Sequence, residues 1–155
     1  MYDIFVVFLW RDIVGSNYEL GARESTVASI SQIDHAAFDL IVATKFPDAA
    51  AELDAEDREL LHTEMAAVAR STCRAIDTGD KITEANHFAI MQDVFNHASP
   101  EVENAVYVSY LENLFLGEER AEYLAARARL PAVLARALLK LEEHFARLGG
   151  SARGA

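Results

Sequence analysis

Ser99-Pro100-Glu101-Val102-Glu103-Asn104-Ala105-Val106-Tyr107-Val108-Ser109-Tyr110-Leu111-Glu112-Asn113-Leu114-Phe115-Leu116-Gly117 carries helix signals at both ends. Ser99 can accept a hydrogen bond from a free amide of the first turn. Pro100 suits the first helical position, where its missing N–H is not needed. Glu101 and Glu103 sit where the helix dipole favours negative charge. Gly117 can adopt the left-handed backbone that closes a helix. At the helical period, Val106, Tyr107, Val108, Tyr110, Leu111, Leu114 and Phe115 fill an arc of about 200°, wider than a surface helix needs. The stretch therefore reads as a central helix, about residues 100–116, with neighbours on several sides.

Working outward, the chain of 155 residues is about one domain and long enough to bury a core. Its 52% hydrophobic and 25% charged residues are those of a globular protein. The single cysteine, Cys73, rules out an internal disulfide framework and suits a reducing compartment. Cys73 falls on an apolar helix face, so a small buried thiol is expected. Net charge is −11 and uneven: residues 1–117 hold 20 acids and 7 bases, residues 118–155 hold 5 and 7. Such acidity repels phosphates, so nucleic acid is excluded as a partner. It favours encounter with basic surfaces.

Residues 1–24 differ from the rest. Ile4-Phe5-Val6-Val7-Phe8-Leu9-Trp10 is a continuous apolar run, too short to span a membrane. Asp3 is the only charge before it, which does not suit a signal peptide. Strand, helix, an apolar arm lying on the bundle, and a misassigned start all remain open for it. Helix one is expected from Ser25 or Thr26 to Lys45, with Ile30 and Ile33 on its apolar face, stopped by Pro47. A short turn or loop follows. Helix two is expected to be capped by Asp54, with a buried stripe of Leu60, Leu61, Met65, Val68, Ala69, Thr72, Cys73 and Ile76, and to end at Gly79. Helix three opens at Thr83 and Glu84 and meets the central helix at a sharp corner near Ala98. A fifth helix spans Glu118 to Arg129 and a sixth Pro131 to Leu148, closed by Gly149-Gly150. The expectation is an all-α, single-domain bundle of about six helices over 25–150, with a frayed tail at 151–155.

The sharpest apparent motif is a pair of Glu-x-x-His sequences, Glu59 to His62 and Glu84 to His87. Two such motifs on facing helices build di-iron sites. Here both lie near the N-termini of consecutive, antiparallel helices, about 16 residues or roughly 24 Å apart along the axis. That spacing excludes a binuclear centre, and both glutamates read as first-turn acids. His35, His97 and His144 stand singly, without a zinc pattern. There is no phosphate loop, nucleophile elbow or metalloprotease motif. No catalytic residue, metal or cofactor is expected.

Two groups remain. Asp48, Glu52, Asp54, Glu56, Asp57, Glu59 and Glu64 concentrate negative charge against Arg58 alone, and the first six are the candidate partner-binding residues. Ser109, Glu112 and Asn113 form a polar stripe on the central helix, three and four residues apart, able to reach one groove. If that side is covered, Glu112 needs a partner, because a lone buried carboxylate is costly. Arg127, Arg129, Arg136, Lys140 and Arg147 read as a solvated basic face.

Glu101 to Ala105 and Val108 to Leu114, with Ala89 to Phe95 upstream, resemble a signature of small helical bacterial proteins, often of the immunity type in polymorphic toxin systems. The resemblance spans residues 30–148 and is most specific over 88–117. It implies a cytoplasmic, stoichiometric binder without enzyme activity, and it transfers no binding residues. The first expectation is thus an acidic binding protein, an immunity protein covering a basic toxin domain. The competing one is a helical small-molecule or metal-binding domain, with or without enzyme activity, using the polar groove or the histidines. A third is an oligomerisation module that exchanges the arm at residues 4–10.

Overall fold

Asp34 ends the extended entry to the bundle and starts its first helix. In the computed structural model, which describes residues 32–151, the Asp34 carboxylate accepts from the Ala37 amide at 2.9 Å. Helix α1 then runs His35–Lys45. Residues 32–34 are not helical. Ile33 instead pairs in parallel with Ala98, its N–H donating to the His97 carbonyl at 2.8 Å. Helix one therefore does not run continuously from Ser25 or Thr26. Ile33 serves as a strap across a corner, where its backbone groups find partners that a helix start would leave free. The expected arm at 1–24 and the rest of that early helix lie outside the described residues.

After Phe46, Pro47 opens the short helix α2, Pro47–Ala51. A 3₁₀ turn follows at Asp57–Glu59, and α3 begins only at Leu61, running to Asp77. Asp54 does not cap α3. Its carboxylate accepts from the Asp57 amide (2.9 Å), and Asp57 returns the bond to the Asp54 amide (3.2 Å). The two acids close a turn of their own, a use for which aspartate is well suited. Leu60 precedes α3 and is exposed, while the rest of the expected stripe is buried apart from half-buried Cys73.

Gly79, with a φ of +70°, turns the chain into α4, Lys81–His97. Asp80, not Thr83, is its N-cap, accepting from the Thr83 amide at 3.0 Å. Only Ala98 and Ser99 separate α4 from the central helix α5, residues 100–115. Ser99 accepts from the Val102 amide, and Gly117 closes the far end with a φ of +72°. Space around the Gly117 Cβ position is open, so a substitution meets only the backbone penalty. Gly117→Ala should lower the free energy of unfolding in urea by about 1 kcal/mol.

Within α5 the hydrogen-bond pattern changes twice. Pro100–Ala105 is α-helical, Val106–Leu111 is a π-helical turn, and Glu112–Phe115 is α-helical again. Val102, Ala105, Val106, Tyr107, Tyr110, Leu111, Leu114 and Phe115 are all buried. Helix α3 packs along its whole length. Around it also stand α1, α6 (Ala121–Arg127) and α7 (Ala132–Ser151). From α4, Phe88 meets Phe115 with ring centroids 6.4 Å apart, and Phe95 meets Tyr107 edge-on at 5.7 Å. Each fully buried side chain of this size stabilises the fold by about 1.5–3 kcal/mol. The result is an all-α, single-domain bundle around a central helix.

The C-terminal expectations need two adjustments. The fifth helix is shorter than Glu118 to Arg129: residues 118–120 are not helical, the Glu118 carboxylate there accepting from the Arg120 amide and guanidinium, and the helix ends at Arg127. Helix α7 continues through Gly149 to Ser151, so the glycine pair does not end it. No helix among the described residues is long and apolar enough to cross a membrane.

Candidate functional site

The acidic segment is built on the shortest elements of the fold. Asp48 lies in α2, Glu52 caps its end, and Asp54, Glu56, Asp57 and Glu59 belong to the loop and 3₁₀ turn. Glu52 bridges two arginines of α3, Arg70 (3.1 Å) and Arg74. Arg58 turns back to α1, reaching Asp39 at 3.0 Å, and also donates to the Ala50 carbonyl. The nearby arginines are thus engaged. Asp48, Asp54, Glu56, Asp57 and Glu59 make no ion pair among the described residues, and all but half-buried Asp57 are exposed. Five of the six candidate carboxylates therefore form an uncompensated negative surface.

Glu64 leaves this group. It points into the bundle and is fully buried. One oxygen meets His35 Nε2 at 3.0 Å, and Oε1 is sealed from solvent without a hydrogen-bond partner among the described residues. Desolvation pushes its carboxyl up to about 8, and the neighbouring Asp39 carboxylate reinforces the shift. Glu64 is then neutral at pH 7, while the Asp39 carboxyl is held below its ordinary value by the neighbouring Glu64 carboxyl and by Arg58. Helical spacing from Leu61 and Val68 is the signal that places Glu64 on the apolar face.

The polar stripe of α5 is partly consumed by the fold. Ser109 is buried and its hydroxyl meets His62 Nδ1 at 2.7 Å. The exposed Asn113 donates its side-chain amide to the Ser109 carbonyl at 2.8 Å, where the π turn disturbs the backbone ladder. Glu112 is half-buried without a partner among the described residues, and burial pushes its carboxyl up. The three are neighbours, yet two are committed to local structure.

The histidines of the two Glu-x-x-His sequences do not converge. Glu59 stays on the exposed 3₁₀ turn and His62 turns to Ser109. Glu84 is buried in an ion pair with Arg129 (2.7 Å) and Lys81 (3.0 Å), tying α4 to the turn between α6 and α7. Its carboxyl lies below the ordinary range: burial works against ionisation, but the two cations outweigh it. Of the expected basic face, Arg129 is held by Glu84 and Arg127 by Glu142, while Arg136, Lys140 and Arg147 stay exposed.

One arrangement was not expected from the sequence. His87, Thr72 and Tyr110 meet inside the bundle, with Thr72 Oγ1 3.1 Å from His87 Nδ1 and 3.3 Å from the Tyr110 hydroxyl. Thr72 gives its single proton to the Val68 carbonyl at 3.0 Å. All three contacts are hydrogen bonds at once only if His87 and Tyr110 both donate to Thr72 Oγ1, the arrangement that puts the His87 hydrogen on Nδ1. Burial lowers the proton affinity of His87, so the ring is neutral near pH 7 and Nε2 carries a lone pair. His87 lies at the base of a cleft of about 450 Å³ at the junction of α1, α2, α3 and α4. Helical spacing of Glu84 and His87 with Phe88, Met91 and Val94 is the sequence signal that both face inward.

No curated protein and no solved structure matches the chain. The sequence model of a family described as a domain of unknown function matches residues 38–146, from the body of α1 to near the end of α7. That match takes in the acidic segment, the whole of α5 and the cleft above His87. The chain belongs to this family, DUF7674.

Proposed function

We propose that this is a non-enzymatic binding protein whose acidic surface engages a basic partner protein, and specifically an immunity protein that neutralises a cognate bacterial toxin by direct binding. The observation that carries the reading is the set of five carboxylates at Asp48, Asp54, Glu56, Asp57 and Glu59 left without cations, while Arg58, Arg70 and Arg74 are held elsewhere. Complementary charge of this kind accelerates encounter and discriminates against wrong partners more than it adds affinity. The resemblance of the 88–117 region to immunity-type proteins supports the finer statement.

Capture from a lysate of the native host tests it, using the full chain and a Glu56→Lys, Glu59→Lys double variant. Both positions are exposed and unpaired, so the fold should be untouched. Wild type should recover a basic, toxin-like protein and protect cells that express it. The double variant should associate about tenfold more slowly at low salt, with the difference shrinking as salt rises. Recovery of no partner, or of one indifferent to the substitutions and to salt, would overturn the reading.

A further inference from the structure

We propose that the cleft above His87 receives a guanidinium group, offered by an arginine of the basic partner; the source of the group rests on the binding reading above. The floor of the cleft supplies unsatisfied acceptors. His87 Nε2 has no partner among the described residues and is not sealed off, since Glu64 Oε1 is the sealed orphan among them. Ser71, also buried, presents a hydroxyl with no hydrogen bond to the described protein. At the rim stands the exposed, unpaired carboxylate of Asp48, close enough to act on the titration of His87. A neutral ring nitrogen below and a carboxylate above call for a donor with several N–H groups in one rigid plane.

Other ligand classes fit less well. An anion would meet the His87 lone pair, Asp48 and a protein of net charge −11. An alcohol would satisfy Nε2 but leave Asp48 unused. An ammonium ion is strongly hydrated and gains little from exchanging water for a neutral imidazole, whereas guanidinium is weakly hydrated and planar. The walls, from Pro47, Ala89 and Ile90, suit the apolar stem of an arginine. Lys45 is the opposing charge on the rim, and it sits exposed in the last turn of α1, where the helix dipole holds it. Such a buried arginine is the kind of anchor that dominates a protein interface.

The test titrates the full-length protein with Nα-acetyl-arginine amide while following the imidazole nitrogen resonances of His87. Saturable movement of Nε2 toward its hydrogen-bonded position is expected, with the matching lysine amide at least about tenfold weaker. Asp48→Asn should weaken the response about tenfold and His87→Phe should abolish it. Asp48 is exposed, so its variant stays informative if His87→Phe fails to fold. An unmoved His87, or equal response to the lysine amide, overturns the inference. If no partner is captured while the probe still moves His87, the partner source fails and the guanidinium site stands for a free guanidinium compound. If a partner is captured through Glu56 and Glu59 but binds the His87 and Asp48 variants unchanged, this inference falls and the binding reading stands.

Discussion

Glu64→Gln should stabilise the fold at alkaline pH and leave it nearly unchanged at pH 5. The Glu64 carboxyl is fully buried and pushed up to about 8 from an ordinary 4.5. Between those values the folded state holds a proton that the unfolded chain has released. Stability therefore falls as pH rises through this window, by roughly 1.4 kcal/mol per unit where the difference is complete. Above pH 8 the fold must contain an ionised carboxylate beside Asp39, with Arg58 the nearby cation that acts on it among the described residues. Glutamine keeps the neutral shape: its oxygen can accept from His35 and its amide can donate toward Asp39. The gain at pH 9 should be about 2–4 kcal/mol. His62 and His87 act in the opposite sense. Burial lowers both, so they are neutral when folded and charge on unfolding in acid, and their contribution is lost as pH falls below about 6.5. The wild-type curve is thus a sum, and the difference between wild type and variant isolates Glu64. Urea melts at pH 5, 7 and 9 measure it. Parallel curves for the two proteins would show that Glu64 is ionised in the fold.

How far the sequence was legible follows from which signals are local. The ends of α5 were, because Ser99, Pro100 and Gly117 each act on backbone within a turn of themselves. Its central place was too, since an apolar arc that wide has no other use. The π turn at Val106–Leu111 was not, because a fixed period of 100° per residue has no place for a locally wider turn. The start of α3 was obscured by abundance: Asp54, Glu56, Asp57 and Glu59 all resemble first-turn acids, and only the reciprocal bonds between Asp54 and Asp57 show that they close a separate turn. Glu64 was grouped with the surface acids by proximity in the chain, although its spacing from Leu61 and Val68 placed it inside. The cleft at His87 was beyond reach for another reason. It joins residues from four helices, and the tautomer that frees Nε2 depends on a threonine bonded to its own helix.

That threonine also makes Tyr110 the residue whose loss should be felt most widely. Tyr110 is fully buried at the heart of α5, in the π turn that packs against α3. Its ring fills core volume, and its hydroxyl is one of two donors to Thr72 Oγ1. Tyr110→Ala removes both and should destabilise the protein by about 3–5 kcal/mol, the range of large aromatic truncations that leave a cavity. Tyr110→Phe removes the hydroxyl alone and should lower stability by about 1 kcal/mol, because Thr72 keeps His87 as a donor and its own bond to Val68. The two variants separate packing from polar order, and urea melts with the imidazole resonances of His87 read both. With Phe at 110 the His87 tautomer should persist, since its Nδ1 partner remains. A drop of several kcal/mol for Tyr110→Phe would instead mean that the Tyr110 hydroxyl, rather than the ring, holds α3, α4 and α5 in register, and that the floor of the cleft depends on it.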